Sequence, residues 1–252
     1  MVPNNSFSNR APVLLVHGAF AGAWIWEGAF LDSLANMERS AVAMDLREST
    51  SDASEHAQHF SYDTAILRQL ERFDTAPIVI AHSLGALLAQ RLLGRAEIAA
   101  LIMLAPVPPE GMLFTTPFLL ASEPSIWPGF LNFLHGKTEQ AFAGMVDILF
   151  SKRARDAELN QHAARMQFEG LWAALEAHLP MPVVPAFVLG VPSLVVAGAE
   201  DRLISPFASV RTALYHGAEY RTEDELGHFM QTGPGARRVA DFILDWLEQR
   251  NL

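Results

Sequence analysis

Short apolar runs alternate along this chain with longer stretches whose apolar residues recur every three or four positions. The runs are Val13–Val16, Ala41–Met44, Ile78–Ala81, Ile98–Leu104 and Leu194–Ala197, with Glu219–Arg221 as a shorter, more polar sixth. Runs of this length without internal alternation suit strands buried on both faces. The intervening stretches predict helices over Ala23–Asn36, Ser61–Phe73, Leu84–Leu93, Pro206–Leu214 and Gly235–Gln249. Ser61 is a candidate N-cap, and Gly94 ends the third helix. In the last helix Val239, Phe242, Ile243, Trp246 and Leu247 fall on one face. Strands alternating with helices predict an α/β fold, with a mostly parallel central sheet of about six strands flanked by helices.

The rhythm breaks between the fourth and fifth strands. Residues 107–185 are far too many for a plain crossover. They carry large apolar side chains, among them Phe114, Phe118, Trp127, Phe130, Met145 and Phe168, with helical periodicity at Glu139–Leu149 and Glu158–Leu175. The stretch reads as a helical cap, residues 107–185, inserted into a core made of residues 1–106 and 186–252. Those aromatics either form the cap's own core or roof an apolar pocket; exposed patches of that size are rare on monomers.

Composition narrows the function. The chain has 252 residues, 50% apolar and 18% charged, so a large packed core is expected and disorder is not. Its 28 acidic and 18 basic residues give a net charge of −10, a field that repels phosphate backbones and anionic lipid. Nucleic acid and membranes are therefore not expected partners. There is no cysteine, which excludes a disulfide framework, a thiolate metal site and a thiol nucleophile. No metal or cofactor is called for. Met1–Arg10 is polar, without the apolar segment of a secretory signal, and the uncharged run Pro180–Ala199 is broken by four prolines. The expected address is cytoplasmic, and the oligomeric state is open.

Four short motifs carry chemistry, each just after a strand, where open α/β sheets bind ligands. Ala81-His82-Ser83-Leu84-Gly85 joins the third strand to its helix. A Ser on such a tight strand-to-helix turn is a nucleophile elbow, and its neighbours two positions away must be small. His17-Gly18-Ala19-Phe20 follows the first strand. A developing oxyanion needs two fixed N–H donors. Leu84, just after the Ser, offers one and Ala19 the other, with Gly18 letting the backbone turn toward the site. Phe20 is the alternative donor or a pocket wall. His17 is either a base or a shaper of its loop. In Gly198-Ala199-Glu200-Asp201, Asp201 is the preferred carboxylate to orient a base, with Glu200 as competitor. In Gly227-His228-Phe229, His228 is the general base and then general acid. Ser83, Asp201 and His228 form the candidate catalytic set; Phe20, Trp127 and Phe229 are candidate pocket residues.

On these four motifs the chain resembles the α/β-hydrolase superfamily over Val13–Leu247. His17-Gly18-Ala19-Phe20-Ala21-Gly22-Ala23-Trp24 is similar to the small plant esterase and hydroxynitrile-lyase branch and its bacterial relatives. The resemblance implies a small capped serine esterase using a Ser-His-Asp triad, and six parallel strands. Asp45-Leu46-Arg47-Glu48-Ser49-Thr50 lacks the two glycines usual after the second strand, which implies a mobile or differently shaped loop. A serine at the elbow argues against dehalogenases and epoxide hydrolases. The lyase branch has a Thr near the oxyanion loop and a Lys soon after the His; here Ala19, Phe20 and Phe229-Met230-Gln231 stand there. The expected activity is cleavage of a small or medium uncharged carboxylic ester through an acyl-enzyme. A C–C bond hydrolase, lactonase, thioesterase, perhydrolase or cofactor-free oxygenase would use the same residues, and a non-catalytic ligand-binding protein could share the fold.

Overall fold

A computed structural model describes residues 10–36, 39–47, 61–113, 115–135, 148–150, 165–166, 177–178 and 180–252. Its strands are β1 (Val13–Val16), β2 (Ala41–Met44), β3 (Ile78–His82), β4 (Ala100–Leu104), β5 (Ser193–Gly198) and β6 (Glu219–Glu223). They form one sheet in the order β2-β1-β3-β4-β5-β6, every pair parallel. The helices are α1 (Ala29–Asn36), α2 (Ser61–Leu70), α3 (Leu84–Arg91), α4 (Thr115–Ser122), α5 (Trp127–Leu134), α6 (Pro206–His216) and α7 (Ala236–Glu248).

Successive residues of a strand point to opposite faces, and both faces are covered. Val13, Leu15, Ile78, Ile80, Leu194 and Val196 face one apolar layer that includes Phe30 of α1 and Val239, Ile243 and Trp246 of α7. Leu14, Val16, Val79, Ala81, Leu101 and Val195 face the other, built with Ile66 of α2, Leu87 of α3 and Ala208 of α6. This double burial explains why the central strands read as unbroken apolar runs. β6 is an edge strand, and its Glu219-Tyr220-Arg221-Thr222-Glu223 sequence is polar accordingly.

The chain goes from β1 outward to β2, then crosses back to β3 on the other side of β1. The loops after β1 and β3 therefore leave in opposite directions and open a crevice at the carboxyl ends of the strands.

Two sequence readings need correction. The helix expected over Ala23–Asn36 is two pieces: a 3₁₀ turn at Ala23–Trp26, then α1. Gly28, at φ 71°, breaks the run by turning into the left-handed region. Helices α4 and α5 were not anticipated within 107–185. Each carries a proline, Pro117 and Pro128, inside its first turn, where the missing N–H costs nothing because that donor has no intrahelical acceptor. The helices expected at Glu139–Leu149 and Glu158–Leu175 lie outside the described residues except for Ile148, Leu149, Arg165 and Met166; Ile148 and Leu149 are helical. The Ser61 side chain, proposed as a cap, also lies outside them.

A buried polar relay joins Val107, where the 107–185 stretch begins, to Ala186, just past its end. The Gln90 amide donates to Ala86 O (3.1 Å) and Val107 O (3.0 Å). With its N–H groups so used, its oxygen accepts from His216 Nε2–H at 3.0 Å. His216 Nδ1 in turn accepts from the Ala186 N–H at 3.1 Å. Burial pushes the His216 imidazole down to about 4, because a charged ring would lose its hydration. Unfolded, the same ring titrates near 6.5, so between pH 6.5 and 4 the unfolded chain binds the extra proton. The neutral ring's contribution is then complete above pH 6.5 and lost as pH falls toward 4, a loss on the order of 3 kcal/mol. The stability gap between wild type and His216→Gln in urea unfolding should therefore shrink from pH 7 to pH 4.5; a gap constant across that range would contradict the neutral relay.

Candidate functional site

The site forms where four strand ends meet. Ser83 stands between β3 and α3 with φ 52° and ψ −118°. A non-glycine residue there is strained by about 1–3 kcal/mol, and its neighbours hold it in place. The Ser83 N–H donates to Leu104 O (3.0 Å), while Ser83 O accepts from the N–H groups of Ala86 (3.0 Å), Leu87 (3.3 Å) and Val107 (3.2 Å). The turn aims the side chain out of the sheet edge and sets it at the N-terminus of α3, which favours negative charge. The N–H of Leu84 comes before the first intrahelical donor and has no protein acceptor among the described residues.

Gly85 is a packing requirement. A Cβ there would lie 2.2 Å from His17 O, so the β1 loop can sit on the start of α3 only if the side chain is hydrogen. The left-handed residue of that loop is Phe20, at φ 64°, and not Gly18. What Gly18 provides is close approach to Ser83. Ala19, half-buried between them, presents an N–H with no protein acceptor among the described residues.

The other side of the site is equally tight. A Cβ at Gly198 would meet Leu226 O at 2.4 Å, and the Ala199 and Glu200 N–H groups donate to Glu223 O and Leu226 O, both at 2.9 Å. This clasp brings the loops after β5 and β6 together. Asp201 is buried; its Oδ1 accepts from the Leu203 and Ile204 N–H groups, each at 2.9 Å. Its Oδ2 accepts from His228 Nδ1–H at 2.8 Å. With the proton on Nδ1, His228 Nε2 is the acceptor for the Ser83 hydroxyl, at 3.0 Å. Asp201, His228 and Ser83 are thus one hydrogen-bonded line, out of water. Glu200 is exposed and its side chain is not part of that line.

His17 is fully buried with both ring nitrogens engaged. The Leu46 N–H donates to Nε2 at 2.9 Å, which leaves Nδ1–H to donate to Gly18 O at 2.7 Å. It joins the loops after β1 and β2 and holds no lone pair free for Ser83, so the loop-shaping reading fits its contacts. The glycine-poor loop after β2 is organised at its start by Arg47, whose guanidinium and N–H bind the Asp45 carboxylate. Residues 48–60 lie outside the described set.

Phe229 is buried and stacks on Phe150 of the 107–185 stretch, with ring centroids 5.2 Å apart. Phe20 is half-buried against the same apolar layer. Trp127 stands on the outer helix pair; it is 44% exposed and its indole N–H donates to Leu120 O at 3.0 Å. The 107–185 stretch touches the site directly, since Leu149 O accepts from the N–H groups of His228 (3.1 Å) and Phe229 (3.3 Å). Sequence reasoning passed over His82, whose Nε2–H donates to His228 O at 3.0 Å. Its apolar strand context hid it, because a lone histidine in a buried run carries no spacing signal. Among the described residues no group of three His, Asp or Glu side chains could hold a metal, and no helix is long and apolar enough to cross a membrane.

The sequence model of the alpha/beta hydrolase family matches residues 13–242. The chain belongs to the alpha/beta hydrolase family. No curated protein sequence matches it significantly. Solved structures of similar fold include an esterase from Exiguobacterium antarcticum, with a TM-score of 0.74 at 14% identity over 95% of this chain and 92% of that one. A thermophilic esterase from Thermogutta terrifontis gives 0.66 at 20% identity over 95% and 90%. Polyneuridine aldehyde esterase gives 0.69 at 14% over 94% and 99%. At these identities the likeness is one of fold, and it extends over nearly the whole of each chain.

The fit at Gly85 makes a direct expectation for this hydrolase-family chain. Gly85→Ala drives a methyl group into the His17 carbonyl and should lower stability by about 3 kcal/mol or more. Thermal unfolding followed by circular dichroism reads this; a melting temperature within 2 °C or so of wild type would mean the loops are not in contact.

Proposed function

We propose that this protein is a serine hydrolase that cleaves carboxylic esters of small or medium uncharged substrates through an acyl-enzyme. The observation that carries this reading is the unbroken Asp201–His228–Ser83 line, 2.8 and 3.0 Å long in its two links. Ser83 Oγ attacks the ester carbonyl as His228 Nε2 takes its proton. Asp201, held by two backbone N–H groups, keeps the imidazole in the right tautomer and stabilises the imidazolium. The tetrahedral oxyanion is bound by the N–H groups of Ala19 and Leu84, at the positive end of α3. His228 then protonates the leaving alcohol. Water, deprotonated by the same nitrogen, attacks the acyl carbon, and the proton returns to Ser83 as the acid leaves.

The named esterases among the structural neighbours support the ester as substrate. Charge pairing supports an uncharged one, because Arg47, Arg165 and Arg202, on or against the site's loops, each face a carboxylate: Asp45, Glu27 and Glu123. In this reading residues 107–185 are a cap whose Phe150, with Phe229 and Phe20, walls the acyl pocket. Trp127, being exposed, belongs to its outer rim.

Ser83→Ala should lower hydrolysis of short-chain p-nitrophenyl esters by about 10⁴-fold or more, since the three residues act as a unit. Asp201→Asn should lower kcat by about 10³ to 10⁴ through the wrong tautomer, and Glu200→Gln far less. An organophosphonate should label wild type at Ser83 and spare the Ala variant. Undiminished turnover in Ser83→Ala would refute the reading.

A further inference from the structure

His82 is buried completely and is the last residue of β3, one position before Ser83. Its Nε2 lies 3.0 Å from His228 O. A carbonyl oxygen only accepts, so Nε2 carries a proton. Its Nδ1 has no hydrogen-bond partner, and a second proton placed there would have no acceptor. Burial, followed by the neighbouring His228, holds the His82 imidazole well below the ordinary histidine range, against the opposing pull of its bond to the His228 carbonyl. The ring is therefore neutral. It lies 4.7 Å from the His228 ring and 5.2 Å from the Phe229 ring, centroid to centroid.

Two contacts bracket the His228 main chain. Its N–H is taken by Leu149 O from residues 107–185, and its C=O by His82 from the sheet. The Asp201 bond orients the ring and leaves the peptide on which the ring is mounted unfixed. We propose that His82 is a positioning residue: its Nε2–H pins the His228 carbonyl to the end of β3, so that the His228 side chain reaches Asp201 and Ser83 together. His82 touches no substrate. Because Ser83 follows it directly, nucleophile and base are set by one rigid stretch of strand rather than by two independent loops. Its neutrality matters as well: a charge on this ring would oppose the imidazolium that forms on His228. The inference rests on the serine-hydrolase reading above.

Side-chain reach provides the test. In His82→Gln the amide nitrogen falls near the position of Nε2 and can donate to His228 O. In His82→Asn the amide is of the same kind and falls near Nδ1, out of reach. Both variants are assayed on a p-nitrophenyl ester and for the rate of phosphonylation at Ser83, below the lower of their melting temperatures. His82→Asn should lose about 30- to 100-fold in kcat with KM within about twofold, because a displacement of about 1 Å costs on that order. Its phosphonylation should slow in parallel. His82→Gln should recover to within about threefold of wild type.

Wild-type kinetics in a folded His82→Asn overturn the inference, as does an equal loss in both variants, which would make the ring's bulk the cause. An effect confined to KM overturns it too. Failure of wild type to be phosphonylated at Ser83 overturns the hydrolase reading itself, an outcome separate from the others. Nitrogen NMR of histidine-labelled wild type needs no variant: His82 should stay neutral and Nε2-protonated from pH 5.5 to 9. A protonated Nδ1 anywhere in that range overturns the proposal.

Discussion

Everything at the site depends on one strained residue. Ser83 holds φ 52° because the backbone around it leaves no relaxed alternative. Its N–H is bound to β4 at Leu104, and its carbonyl is shared by Ala86, Leu87 and Val107. Relaxing the turn would break several hydrogen bonds at once in a place without water to replace them, which costs more than the strain. The same turn starts α3, exposes the Leu84 N–H and points the hydroxyl at His228. Val107, the first residue of the 107–185 stretch, is one of the donors. That stretch thus begins as a strut of the elbow.

That attachment recurs around the site. Leu149 holds the His228 and Phe229 main chains. Glu123 meets Arg202, the residue after Asp201, through two oxygens, one of them 2.9 Å from Nε. Arg165 makes a two-pronged bond of 2.7 and 2.9 Å to Glu27 and covers the Trp24 ring at 5.2 Å, beside the oxyanion loop. Exposed pairs of this sort contribute little stability, about 1 kcal/mol or less each. Their consequence is geometric: each ties the 107–185 stretch to a different loop of the proposed machinery. The apolar contacts, Phe150 on Phe229 above all, supply the stronger adhesion.

Much of this was legible in the residues, and the rest was hidden for identifiable reasons. The central strands stood out because both sheet faces are covered there, so their sequences carry no polar alternation, whereas the edge strand β6 is short and polar. The four motifs stood out because small residues are forced where backbones touch. Asp201 could be preferred over Glu200 only on position, and its contact with His228 at 2.8 Å is a tertiary fact. Helices α4 and α5 were obscured by first-turn prolines, which punctuate a sequence without breaking a helix there. The Gln90–His216 relay was invisible because its members are 126 positions apart and each looks like an ordinary helix residue. His82 was concealed inside an apolar run.

Four buried histidines surround or support this centre, and they differ in their hydrogen-bond partners. His17 accepts from one backbone N–H and donates to one backbone carbonyl. Asp45 lies 3.7 Å from its Nε2, but that nitrogen's lone pair already faces the Leu46 N–H. His216 is likewise saturated, between Gln90 and the Ala186 N–H. His82 donates to a carbonyl and faces no carboxylate across its bare Nδ1. For His82 and His216, a second proton would meet either no acceptor or an N–H, and burial disfavours the charged ring. At His228 both nitrogens have other partners. One nitrogen donates to a carboxylate that already holds two backbone donors, and the other faces a hydroxyl whose proton it can accept. In the proposed mechanism this is the nitrogen that takes the Ser83 proton. The other three rings serve as hydrogen-bonding spacers that fix the loops around it.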